Sequence, residues 1–193
     1  MSSALIIIDL IEEIVGEHGR SNSSHQQVKE RRLIPLTNQA VAFARRHHIP
    51  VIWVKVGFAD DYHDIPPYSP LFNLAKKNGA LRLSDPGCQW IKDLDVQPED
   101  EVVIKKAVSA FAGNSLYDWL TGRGYDHILL AGVSSLMAIQ STARQAHDLG
   151  FKVTVLEDLC AAASPELHQQ SMQSLTPLAE ITTSMQWQEH SPS

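Results

Sequence analysis

Residues 129–144, Leu-Leu-Ala-Gly-Val-Ser-Ser-Leu-Met-Ala-Ile-Gln-Ser-Thr-Ala-Arg, constrain the fold more than any other stretch of the chain. They read as a buried strand, a tight turn at Gly132 and the opening of a helix. A strand that passes through a glycine turn into a helix is a β–α unit, and the rest of the sequence repeats that alternation. Ala4–Leu10 (ALIIIDL) is a continuous, β-branched run, as expected of a parallel strand buried on both faces. Further strands are predicted at Val51–Val56, Val102–Lys105, His127–Ala131, Lys152–Leu156 and Ile181–Thr183. Helical periodicity predicts helices near 30–48 and at Leu71–Asn78, Leu116–Thr121, Leu136–Leu149 and Pro165–Leu175. Ser164 and Pro165 supply an N-cap and N1 pair for the last of these, and Gly79 and Gly150 close two others. The expected fold is α/β, a three-layer αβα sandwich with a six-stranded, mostly parallel sheet and helices on both faces.

The alternation runs through the chain as one domain, 1–193, with residues 187–193 expected to be a frayed polar tail. Between residues 57 and 100 it lapses into an irregular stretch holding five prolines, 66, 67, 70, 86 and 98. A stretch this long in a compact domain is more often functional than idle, so it is expected to line a pocket. A net charge of -6 and a pI near 5.8 argue against nucleic-acid or anionic-membrane partners, which require a basic face. Two cysteines, Cys88 and Cys160, are too few for a disulfide framework, which suits a reducing cytoplasm. Ala4–Leu10 is too short for a signal peptide or a membrane span.

In an open α/β sheet the ligand crevice lies at the carboxyl ends of the strands. Asp9, Lys105 and the Gly132 turn all fall there. Asp9 can be a simple turn residue, but with Leu10, Ile11 and Ile14 as neighbours its carboxylate needs a cation or donors. Lys105 can supply the cation, or can be a solvated strand end beside Lys106. Position 138 stands on the first turn of a helix, among N–H groups without partners at the positive end of the helix dipole. A cysteine there would be a reactive thiolate, with donors aimed at the oxyanion of its acyl adduct. The residue is alanine. Cys160, placed just past the fifth strand, is the alternative nucleophile, although a small buried thiol explains it equally well.

Three segments, ALIIIDL, VVIKKAVSAF and AGVSSLMAIQSTARQAHDLGF, with LEDLCAAAS behind them, resemble the isochorismatase-like hydrolases, or cysteine hydrolases, over nearly the whole chain. The resemblance implies Asp9 as general base, Lys105 as orienting cation and position 138 as the site of the nucleophile that attacks an amide carbonyl. It also implies a cis peptide at Val133–Ser134 and an oxyanion hole made by the N–H groups of Ser134 and Ala138. A small-molecule substrate, no cofactor and a homo-oligomer (dimer or tetramer) are expected on the same grounds. The sequence departs from the family at Ile11, where a glutamine is common. Asp60, Asp61, His63 and Asp64 lack the spacing of the Asp/His metal site of nicotinamidase-type members, so no metal is expected and a solvated loop is. Two explanations stand for Ala138. One is a Cys→Ala substitution that disables turnover; the residues around it look like those of the cysteine-containing members. The other is a natural thiol-free enzyme, as in true isochorismatases, where aspartate and lysine cleave a vinyl ether by proton transfer. A pseudoenzyme that only binds is the third possibility. Trp53, Phe58, Trp90 and Phe111 are the candidate substrate-binding aromatics, and Trp53, Phe58, Phe72 and Trp90 the candidates for pocket or subunit interface.

Overall fold

Apolar strand runs too hydrophobic for either face to meet water dictate a sheet covered on both sides, and that is the architecture found. The computed structural model describes residues 1–191. Six strands, β1 (Ser3–Ile8), β2 (Val51–Val56), β3 (Glu101–Lys105), β4 (His127–Val133), β5 (Lys152–Ala161) and β6 (Glu180–Thr182), form one parallel sheet in the order β3-β2-β1-β4-β5-β6. The order reverses between β1 and β4, which opens a crevice beyond their carboxyl ends.

Alternate side chains of each strand fill two separate cores. Ile6, Ile8, Val54, Leu130 and Val155 pack against α5 (Leu116–Gly122), α6 (Ala138–Asp148) and α7 (Pro165–Leu175). Leu5, Ile7, Trp53, Leu129 and Leu156 pack against α3 (Leu33–Arg46), with Val28 from α2 (His25–Glu30) and Trp187 from α8 (Ser184–His190). A third cluster, built on Ile11, Val56, Phe58, Phe72 and Leu81, lies over the carboxyl ends of β1 and β2. It carries α4 (Pro70–Lys77), whose N-cap is the Ser69 hydroxyl accepting from Phe72 N–H at 3.1 Å.

The predicted strands and longer helices are all present, with shifted ends. β1 stops at Ile8 rather than Leu10, because Asp9 adopts a left-handed φ of 60° that turns the chain out of the sheet. β5 runs on to Ala161, so Cys160 lies inside the strand, not beyond it. The expected frayed tail is a correction: α8 is ordered by Trp187, whose ring meets Phe43 edge-on at 5.0 Å. Residues 192–193 of that tail lie outside the described residues. Two further short helices, α1 (Glu12–Val15) and α2, precede α3 where no periodicity announced them.

Gly132 carries a φ of 112°, and a Cβ on it would collide with the backbone of Ile8 in the neighbouring strand. A Gly132→Ala substitution must therefore strain the backbone and push β1 and β4 apart at the crevice. We expect it to lower unfolding stability by about 3 kcal/mol, read as a fall in the urea midpoint.

Candidate active site

The end of each strand around the crevice contributes one element of the site. Asp9 follows β1, and its backbone N–H donates to Val54 O at 2.8 Å, which seats the residue against β2. Lys105 ends β3 in register with Val56 of β2, so β2 lies between the lysine and β1. The lysine spans that gap: its Nζ stands 2.9 Å from Asp9 Oδ2, while Asp9 Oδ1 accepts from the Val56 N–H at 2.8 Å. Both residues are buried, Asp9 at 5% and Lys105 at 2% exposure. Lys105 also donates to the carbonyls of Ala107 (3.1 Å) and Val108 (2.8 Å). Two charges so far from water persist only with this degree of mutual and hydrogen-bonded compensation.

β4 supplies the opposite wall. The Val133–Ser134 peptide is cis, and the chain turns through Ser135 to enter α6 at Ala138. Ser134 O accepts from the Met137 and Ile139 N–H groups, each at 3.2 Å. Among the described residues, no acceptor receives the N–H groups of Ser134 or Ala138. Asp9, Lys105, Val133, Ser134 and Ala138 line one cavity of about 540 Å³. Two unpaired N–H donors beside a buried carboxylate–ammonium pair can polarise a carbonyl and move a proton. Ala138 contributes a methyl group to the same lining.

Known proteins match nearly the whole chain. The isochorismatase domain model matches residues 3–186. The chain belongs to the isochorismatase-domain family. It is 32% identical to the isochorismatase family protein YecD of Escherichia coli O157:H7, covering 91% of this chain and 88% of YecD. It is 29% identical to the ureidoacrylate amidohydrolase RutB of Enterobacter sp. strain 638, covering 88% of this chain and 79% of RutB. Its fold is similar to the solved isochorismatase family protein from Desulfovibrio vulgaris, with a TM-score of 0.86, 22% identity and 97% of each chain covered. The chain thus has the scaffold of an isochorismatase-family hydrolase.

The family scaffold brings Asp9, Lys105 and the 133–138 turn together, but it does not bring the candidate aromatics to the cavity. Trp53 is buried in the α3-side core, where its Nε1 donates to Asp100 at 2.8 Å, and Trp90 tilts against it at 5.9 Å. Phe111 stacks on Phe151 at 5.7 Å in the other core. Phe58 is fully buried under Phe72, with centroids 5.1 Å apart. Of the aromatics named from the sequence, only Phe72 reaches the cavity. Trp53, Phe58 and Phe111 serve as buried core filling, and Trp90 is half-buried against the α3-side core. The cavity is walled instead by Ile14, the loop Arg20–Ser24 and α4. The only sequence signal for that loop was Ser21-Asn22-Ser23-Ser24, a small polar run shortly after β1, the kind of segment on which sites are built.

Neither thiol lines the cavity. Cys160 is fully buried and burial pushes its pKa far up; burial also raises the Cys88 thiol to about 11. The side chains of the acidic loop are paired: Asp64 with Lys106 at 2.8 Å, His63 with Asp61 at 2.6 Å, and Asp60 with the Ser84 hydroxyl. Among the described residues no group of three or more His, Cys, Asp or Glu side chains is placed to hold a metal ion. No helix among them is long and apolar enough to cross a membrane.

A polar network unforeseen in the sequence backs the turn. The Ser135 hydroxyl lies 2.7 Å from His168 Nδ1, His168 Nε2 lies 2.9 Å from Glu157 Oε2, and Arg31 Nη2 donates to the same carboxylate oxygen at 3.2 Å. With Nε2 donating to the carboxylate, Nδ1 of a neutral ring accepts from Ser135. Ser135 is fully buried, so its hydroxyl anchors the turn and does not meet a substrate.

Two stability predictions follow from these pairs. Lys105→Met leaves the Asp9 carboxylate buried without its cation and is expected to cost about 3–5 kcal/mol in urea unfolding. The double variant Asp9→Asn/Lys105→Met should recover part of that loss. The hydrogen bond from His168 holds the Glu157 carboxyl below its usual value of 4.5, against the opposing effect of burial and with Arg31 reinforcing it. Its stabilisation is complete above that value and is lost as pH falls through the depressed folded value. Glu157→Gln should therefore lose less stability than the unmodified protein between about pH 6 and about pH 3 in thermal melts.

Proposed function

We propose that the cavity is an acyl-compound site of the amidohydrolase type from which the covalent step has been removed at Ala138. One observation carries this reading: the Asp9–Lys105 pair, the unpaired Ser134 and Ala138 N–H groups and the Ala138 methyl group share a single cavity. The two N–H groups suit a carbonyl oxygen that becomes negative as a nucleophile adds. Asp9, held by Lys105 and the Val56 N–H, is the proton acceptor for that nucleophile and returns the proton to the departing amine. The likeness to the amidohydrolase RutB supports amide chemistry. With alanine at 138 the only nucleophile available to this route is water, activated by Asp9.

Ala138→Cys is the test. The new thiol is expected to be alkylated by iodoacetamide far faster than Cys88 and Cys160, both of which are buried and held as thiols. The same variant should cleave members of a panel of small amides, and adding Asp9→Asn should reduce that cleavage by about 100-fold or more. A thiol no more reactive than the other two, together with no amide cleaved, would overturn the proposal.

A second reading is favoured by the alanine itself. Asp9 and Lys105 remain paired in a cavity without a thiol, which suits hydrolysis of an isochorismate-type vinyl ether by proton transfer alone. It requires the unmodified chain to turn over isochorismate and Asp9→Asn to abolish that turnover, measured by loss of substrate absorbance.

A further inference from the structure

An ammonium group has three N–H donors. In Lys105 all three have partners: Asp9 Oδ2 and the carbonyls of Ala107 and Val108. The pair is neutral as a unit, and its cation has no donor left to offer a ligand. The other cation among the described residues lining the cavity is Arg20, which is solvent-exposed. Its Nη1 donates to the carbonyls of Asn78 (2.8 Å) and Gly79 (2.7 Å), just beyond α4, where a positive charge suits the helix dipole. A carboxylate brought in beside Asp9 would lose its water and meet an anion, with no unpaired cation in the interior to compensate.

The deeper wall is largely apolar, from Ile14, Val56, Phe72, Leu81 and Val108. Of the polar residues in the Arg20–Ser24 loop, Ser21 and Ser23 are exposed, the half-buried Asn22 is committed to the Gly16 and Glu17 carbonyls, and Ser24 is the buried one. Ser24 is 3% exposed and lines the cavity. It occupies the N-cap position of α2, but its side chain makes no capping bond. No described residue hydrogen-bonds its hydroxyl. The side chain is buried, yet its hydroxyl is not sealed into the core as the unpartnered Thr37 hydroxyl is, and the open space beside it is the cavity.

We propose that Ser24 is a specificity residue of this cavity, hydrogen-bonding a polar group on an uncharged carboxamide or ester with an apolar body, and that the cavity rejects a carboxylate of the same shape. This rests on the acyl-site reading of Asp9, Lys105 and the 133–138 turn. It counts against the vinyl-ether reading, whose substrate carries two carboxylates. Hydrogen-bonding sites discriminate strongly because an unmatched ligand leaves a buried polar group without a partner.

The experiment is ligand-observed NMR titration of the unmodified chain with benzamide, 3-hydroxybenzamide and benzoate. Both amides are expected to bind, and benzoate at least about tenfold more weakly than benzamide. Ser24→Ala should weaken 3-hydroxybenzamide about tenfold and leave benzamide within about twofold, while Ser24→Thr, which keeps the hydroxyl, retains binding. An unchanged unfolding midpoint for Ser24→Ala assigns the loss to recognition. Equal binding of benzoate and benzamide, equal losses for both amides in Ser24→Ala, or no binding of any probe at millimolar concentration would each overturn the proposal. If Ala138→Cys cleaved only amides bearing a carboxylate, the acyl-site reading would stand and this inference would fall. Ser24-dependent amide binding, with no cleavage by Ala138→Cys and a thiol no more reactive than Cys88 and Cys160, would support the role of Ser24 and overturn the acyl-site reading.

Discussion

A single ion pair fixes the ends of three strands. Asp9 closes β1, leans on β2 through Val54 O and the Val56 N–H, and reaches β3 through Lys105. Lys105 also binds the carbonyls of Ala107 and Val108, and so directs the chain where it leaves the sheet toward α5. Burying two charges is costly, and the pair is tolerated because all three N–H donors of Lys105 and both carboxylate oxygens of Asp9 have partners. The cavity floor is therefore a stiff, electrically closed unit, and adaptability to a ligand has to come from the walls above it. Those walls, the Arg20–Ser24 loop and α4, are bridged by Arg20, which donates to the Asn78 and Gly79 carbonyls.

The opposite side of the site is fixed by other means. Ser135 holds the turn to α7 and β5 through His168 and Glu157, and Arg31 closes the chain of contacts from α2. Ser171 adds a bond from its hydroxyl to the Ser135 carbonyl. Ala138 belongs both to the cavity lining and to the core cluster of Ile139, Ala143 and Ala146. The turn is thus anchored by packing on one flank and by polar contacts on the other. Such networks specify one arrangement only when their members are satisfied, as these are.

The layers, the six strands and the pairing of Asp9 with Lys105 were legible because they rest on periodicity and on positions at strand ends. Other features were not, for physical reasons that differ from case to case. The left-handed turn at Asp9 carries no hydrophobic signature, so β1 read two residues too long. Helices α1, α2 and α8 are short, and short helices owe their order to tertiary contacts such as Trp187 on Phe43. Trp53, Phe58 and Phe111 promised a binding surface by their size, yet size is also what fills a core, and the fold used them there. Ser24 and Arg20 escaped notice because a short polar loop has no period to betray which of its side chains turns inward.

The strand order also sets the timetable by which the molecule can assemble. Of the six described strands β1 is made first, but its neighbours β2 and β4 begin only at Val51 and His127. Its left-hand partner is available early. Its right-hand partner, which carries the glycine turn, arrives after about two thirds of the described chain has been made. Until then a strand of almost uninterrupted isoleucine and leucine has one edge uncovered, and contacts of such long separation form slowly. The same central placement that lets β1 present Asp9 to both halves of the sheet makes it the segment most in need of protection during synthesis.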